Sequence, residues 1–199
     1  MSKAVLAVVG VAVAVVAVVG LMAVGQYNGL VREAQAVDQQ WSQVENVYQR
    51  RADLVPNLVT VVQGSASFEK STLVQVTEAR SRVGQVSSAG AANDPQALER
   101  FAQAQAQLGA ALSRLMVVVE NYPELKSTES FLTLQTQLAG AENRIAVERK
   151  RYNEAAQGYN TRLQRVPAAW FVAALGWNFK PKAYFQAETG AEQAPAVKM

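Results

Sequence analysis

The side chains that most often carry covalent or acid–base chemistry are missing here: the sequence has no cysteine and no histidine. Without cysteine there is no thiolate nucleophile, no disulfide and no sulfur-ligated zinc. Without histidine the commonest general base and the commonest metal ligand are gone. The serines and threonines have no histidine to activate them, and no motif supports a serine–lysine dyad. Paired carboxylates for acid–base work are not indicated either. No catalytic residue, metal site or cofactor is therefore expected. The net charge of +3 is small and scattered, with no basic stripe carrying interleaved aromatics, so nucleic acid is not an expected partner.

What remains is the chemistry of binding and packing. Arg51, Glu148 and Arg162 occupy slots that face neighbouring helices; they either pair with one another across helices and set the register, or snorkel from the edge. Pro56-Asn57 lies inside a helical pattern and reads as a bend, with the Asn57 amide serving carbonyls that the proline leaves open. Glu120-Asn121-Tyr122-Pro123 reads as a helix-ending turn, Asn121 bonding the open backbone and Tyr122 closing the core. Trp170-Phe171-Val172-Ala173-Ala174-Leu175-Gly176-Trp177 is apolar all round and followed by Lys180 and Lys182. Trp170, Phe171, Leu175 and Trp177 form an interaction patch in one reading, against a membrane surface or a protein, and a cap on the bundle's end in the other.

The elements that position these residues are helices. Residues 4–24 carry no charged or polar side chain. As a helix they rise about 30 Å, the thickness of a bilayer's hydrocarbon core. The stretch is longer than the apolar core of a cleaved signal, so residues 1–25 are expected to be a retained transmembrane anchor in contact with the lipid bilayer. Ala7, Gly10, Ala14 and Ala17 fall on one face, where small residues let helices approach closely within a membrane. Lys3 precedes the span while Arg32 is balanced by Glu33 and Asp38, which favours a cytoplasmic N-terminus and a domain on the other side.

Beyond the anchor the apolar residues keep a 3-4 rhythm: Tyr27, Leu30, Ala34, Val37, Trp41, Val44 and Tyr48; then Leu98, Phe101, Leu108, Leu112, Leu115 and Val119; then Phe131, Leu134, Leu138, Ala141, Ile145, Tyr152 and Tyr159. That period belongs to long helices packed at shallow crossing angles. The expected fold is all-α: an anchor, an elongated antiparallel bundle of three long helices over residues 26–185, a short C-terminal helix, and a disordered tail over 186–199. The first helix is expected to run to the mid-80s, kinked at Pro56 and with a soft spot near Gly64-Ser65. Asp94 with Pro95 starts the second helix, Ser127 or Thr128 caps the third, and Pro167 ends it. In such a rod the third helix ends far from the anchor.

Particular residues then matter more than pattern. Tyr27-Asn28 follows the span. Arg50-Arg51-Ala52-Asp53-Leu54-Val55-Pro56-Asn57-Leu58-Val59 comes later, and Ala79-Arg80 after it. Glu120-Asn121-Tyr122-Pro123-Glu124-Leu125-Lys126, Leu134-Gln135-x-x-Leu138, Glu142-Asn143-x-Ile145, Arg149-x-x-Tyr152-Asn153 and Tyr159-Asn160 complete the set. This series resembles the LemA family over all but the last dozen residues. The resemblance implies a bacterial, N-terminally anchored membrane protein with an antiparallel helical bundle and no established catalytic activity. Some family members are linked to organised membranes such as magnetosomes. Ala52 and Phe68 stand where relatives often carry histidine, so no role of those histidines carries over. Two functions then compete: a scaffold that self-associates into a homo-oligomer and organises membranes or membrane proteins, and a monomeric adaptor stalk that presents its distal end to another membrane protein, such as a protease or secretion component.

Overall fold

The computed structural model describes residues 2–64 and 69–186. They form six α-helices, α1 (Lys3–Gln63), α2 (Lys70–Gln85), α3 (Pro95–Val119), α4 (Pro123–Lys126), α5 (Glu129–Gln164) and α6 (Ala168–Leu175), with a 3-10 turn at Ala91–Asn93 and no strand among the described residues.

Helix α1 is capped at its start by Ser2, whose hydroxyl accepts from the Val5 amide. Its 61 residues correspond to about 90 Å. The first third carries no packing partner, and the helix is long and apolar enough there to cross a membrane. Near Gly29 the same helix enters the bundle, burying Leu30, Val37, Trp41, Val44 and Tyr48. No break separates the two parts.

The helix runs on through Pro56 and stops at Gln63. The expectation of one helix reaching the mid-80s is corrected here: α2 is a separate element that turns back along α1. Arg80 on α2 reaches the carbonyl of Ala52, and Leu73, Val76 and Ala79 share a core with Val55, Leu58 and Val62. Helix α3 then runs antiparallel to α2, as the pairings Arg82–Gln107 and Gln75–Arg114 require. Asp94 accepts from the Gln96 amide and Pro95 opens α3, while Thr128 caps α5, both as the sequence indicates. Helix α5 returns beside α1, pairing Glu142 with Arg51 and Arg162 with Glu33.

The extra hairpin makes the direction of travel up, down, up, down. The end of α5 therefore lies beside Gly29, at the near end of the bundle next to the apolar segment. The sequence-based expectation placed it at the far end; counting α1 and α2 as a single helix produced that error.

Two hydrophobic cores stack along the rod. The near core is aromatic, built on Trp41, Tyr48, Phe101, Tyr152, Tyr159 and Phe185. The far core is mostly aliphatic, built on Val55, Leu58, Leu108, Leu112, Leu115 and Leu138, with Phe131 as its one fully buried aromatic among the described residues. Each fully buried large side chain contributes roughly 1.5–3 kcal/mol. Because α3 packs chiefly on α2, and α5 chiefly on α1, a groove of about 790 Å³ stays open between α3 and α5. The expected tail from residue 187 onward lies outside the described residues.

Candidate functional site: the near end and its polar clamps

The boundary between the two cores is a polar layer. Arg51 is only 3% exposed. Its guanidinium donates to Glu142 Oε1 at 2.7 Å, to the Gln105 backbone carbonyl at 2.8 Å and to Gln105 Oε1 at 2.7 Å, and it sits 5.2 Å from the Tyr48 ring. One residue thus ties α1 to α3 and α5. A bidentate fork suits this geometry, and a lone buried charge without it would be costly. Of the two readings of Arg51, Glu148 and Arg162, mutual pairing does not occur: Arg51 pairs with Glu142, Glu148 with Arg151 on its own helix, and Arg162 with Glu33.

Pro56 is served differently from expectation. A proline has no N–H, so the carbonyl four residues back, at Ala52, loses its helical donor. Asn57 is exposed and does not supply one. Arg80 does, its Nε donating to Ala52 O at 3.0 Å. The proline on α1 and the arginine on α2 are one device.

The paired Tyr-Asn motifs on α5 clamp the C-terminal segment. Asn160 accepts from the Lys182 amide at 2.8 Å and donates to the Lys182 carbonyl at 2.9 Å. Asn153, seven residues earlier and so on the same face, does the same to Phe185, at 2.9 Å in both directions. Between them the Tyr152 hydroxyl donates to the Ala183 carbonyl at 2.9 Å, and the Ala183 amide donates to Ala92. Lys182 reaches Asp38 at 2.6 Å beneath the Tyr159 ring, and Phe185 stacks on Trp41 with the Arg149 guanidinium 4.7 Å away. The segment after α6 is thus held extended along the bundle.

These contacts set the proton chemistry. Burial pushes the phenols of Tyr48, Tyr152 and Tyr159 above their ordinary value; nearby Arg149 and Arg51 offset this at Tyr48, while Asp38 adds to it at the other two. These hydroxyls stay protonated and serve as donors in the core.

The remaining sequence-derived residues are dispersed. Glu120 pairs with Lys126 across the far-end turn, where Asn121 and Pro123 close α3 and open α4 and Tyr122 packs on the far core. Leu54 packs on that core from the side, while Asn28 and Asn143 are exposed. Ala7, Gly10, Ala14 and Ala17 lie on the uncovered part of α1. The patch is at the near end: the Trp177 and Phe179 rings meet the edge of Tyr27 at 5.1 and 5.4 Å, Phe171 stacks on Trp177, and Trp170 and Leu175 are exposed. Sequence reasoning singled out both Asn-bearing motifs but not what they hold. The nearest signal is the seven-residue repeat of Tyr-Asn, which marks one helix face without naming the backbone groups it holds.

Comparison with known proteins follows the same lines. The profile of the LemA family matches residues 40–199. Magnetosome protein MamQ 2 of Paramagnetospirillum magneticum is 31% identical over 191 aligned residues, taking in 86% of this chain and 68% of that protein. Magnetosome protein MamQ of Magnetospirillum gryphiswaldense is 29% identical over 189, with the same coverage. Protein LemA of Metamycoplasma hominis is 24% identical over 140, taking in 70% of this chain and 60% of that one. With its helical rod, its apolar N-terminal helix and this match over most of its length, the chain belongs to the LemA family.

Proposed function

We propose that this chain is a non-catalytic, single-pass membrane scaffold, anchored by residues 4–24 in a bacterial inner membrane with its N-terminus in the cytoplasm and its bundle outside. One observation carries the reading: α1 continues without a break from the exposed apolar segment into the bundle core. Anchor and rod are one stiff body, so any contact made by one orients the other. The names of the relatives are not those of enzymes, and the magnetosome proteins among them support a role at an organised membrane.

Self-association has two faces to use. Ala7, Gly10, Ala14 and Ala17 suit close helix contact within lipid. The groove between α3 and α5, walled by Ala102, Ala106, Gly109 and Ala110, offers a second long surface. Light scattering in mild detergent on the full chain, beside a chain starting at Gln26, tests this. A large discrete assembly supports the scaffold, and its persistence without the anchor puts the contacts in the rods. A monomer in both sinks the scaffold and leaves an adaptor whose groove receives another membrane protein. Crosslinking at Gly10 and Ala14 that yields only monomer in membranes removes the anchor face from the account.

A further inference from the structure

We infer that α6 and the turn after it form a second membrane contact, lying flat in the headgroup region of the bilayer that α1 crosses. This rests on reading residues 4–24 as a membrane span. Tyr27 comes three residues after Val24, the last apolar residue of that span, and hence about 4.5 Å further along the helix axis. The rings of Trp177 and Phe179 pack against Tyr27. The α6 hairpin is therefore fixed at the height where the apolar run ends, where tryptophan and tyrosine are favoured in membranes.

The chemistry of the segment fits that place. Its eight helical residues carry no charge and are far too few to span a bilayer. Trp170 is 67% exposed and Leu175 55%, while Ala168 roots the helix in the near core. Gly176, with φ of 64°, reverses the chain so that Trp177 returns to α1. The sequence holds no Asp or Glu between Glu154 and Glu188. Of the four cations in that stretch, Lys182 and Arg162 are paired with Asp38 and Glu33, and Arg165 and Lys180, exposed on either side of α6, have no ion pair among the described residues. An apolar helix with two free flanking cations matches acyl chains below and anionic headgroups around them. Anchor and hairpin together would hold the rod at a set tilt, which a single span, free to tilt in the bilayer, cannot do.

Tryptophan fluorescence reads this directly, because the span contains no tryptophan and Trp41 is buried in the near core. The full chain is reconstituted into vesicles of phosphatidylcholine and phosphatidylglycerol at three to one, with the acyl chains brominated at a shallow or a deep position. Flotation with the vesicles is scored separately and tests the span alone. Among floating protein, shallow bromine is expected to quench emission more than deep bromine. Trp170→Phe and Leu175→Asp, both at exposed positions, should each reduce the quenched fraction by about twofold. Arg165→Gln with Lys180→Gln should remove any preference for vesicles containing phosphatidylglycerol. Floating protein whose tryptophans are untouched by either brominated lipid overturns the inference while leaving the span intact. Shielding from both bromolipid and aqueous iodide also overturns it, by showing that protein covers α6. Failure to float removes the span and the inference together.

Discussion

Arg80 and Pro56 show how a residue's role can lie in its partner's missing group. Because Pro56 offers no N–H, the Ala52 carbonyl depends on Arg80. Arg80→Met should therefore cost about 1–3 kcal/mol, the penalty of an unserved buried acceptor. In a Pro56→Ala background the new N–H can serve Ala52, and the same change should cost under about 0.5 kcal/mol. Equal losses in both backgrounds, measured by chemical denaturation in detergent, would show that the arginine acts elsewhere. The two asparagine clamps make a second residue-level prediction. Asn160→Ala should strip hydrogen-exchange protection from the Lys182 amide and leave that of Phe185 largely in place, and Asn153→Ala should do the reverse. Simultaneous loss at both amides in either variant would mean that the segment docks as a unit through Phe185 and Tyr152 and not through the amides.

Among the elements, the heptad rhythm was enough to read which faces are buried and where α3 and α5 begin, because caps and a 3-4 apolar period are local signals: Asp94-Pro95 and Thr128 act as their types require. Chain direction after Gly64 was not legible. Leu73 and Val76 continue the phase of Leu58 and Val62 equally well in a straight helix and in a hairpin, since either way the same face is apolar. Only packing against α3 decides between them. The clamps were hidden for a related reason: their partners are backbone groups, and any sequence supplies those. The polar layer at Arg51 gives the prediction that belongs at this scale, since it joins three helices at one height. Arg51→Ala leaves the buried Gln105 side-chain oxygen unserved and the Gln105 backbone carbonyl with only its helical bond within α3, and should cost about 2–4 kcal/mol. Glu142→Ala should cost under about 1 kcal/mol, because that carboxylate is half exposed and water replaces its partner. Glu142 proving the costlier of the two in thermal denaturation would mean that the ion pair, and not the hydrogen bonds to α3, holds the register.

The near end is where the whole molecule converges: α1, the turn at Ala91–Asn93, α3, α5 and the C-terminal segment meet around Tyr48, Tyr152 and Tyr159. Those three phenols are raised by burial, so the folded chain keeps their protons after the unfolded chain has lost them. Above the ordinary phenol value of about 10 the unfolded state thus binds fewer protons than the folded one. Stability is fully present below that pH and falls as pH rises through the window between the ordinary and the raised values, by up to about 1.4 kcal/mol per pH unit for each proton withheld. With no histidine in the chain, the side chain that most often makes stability vary between pH 6 and 9 is absent, and the unfolding free energy should be flat there. Tyr152→Phe should start lower, having lost the bond to the Ala183 carbonyl, yet descend less steeply above pH 10. Hydrogen exchange during that descent should rise first at Ala183, whose amide is held by Ala92 beside Tyr152, and last in the far core, whose fully buried residues include no tyrosine. A descent that begins below pH 9, or that opens the far core first, would assign the alkaline limit of this rod to some group other than its buried tyrosines.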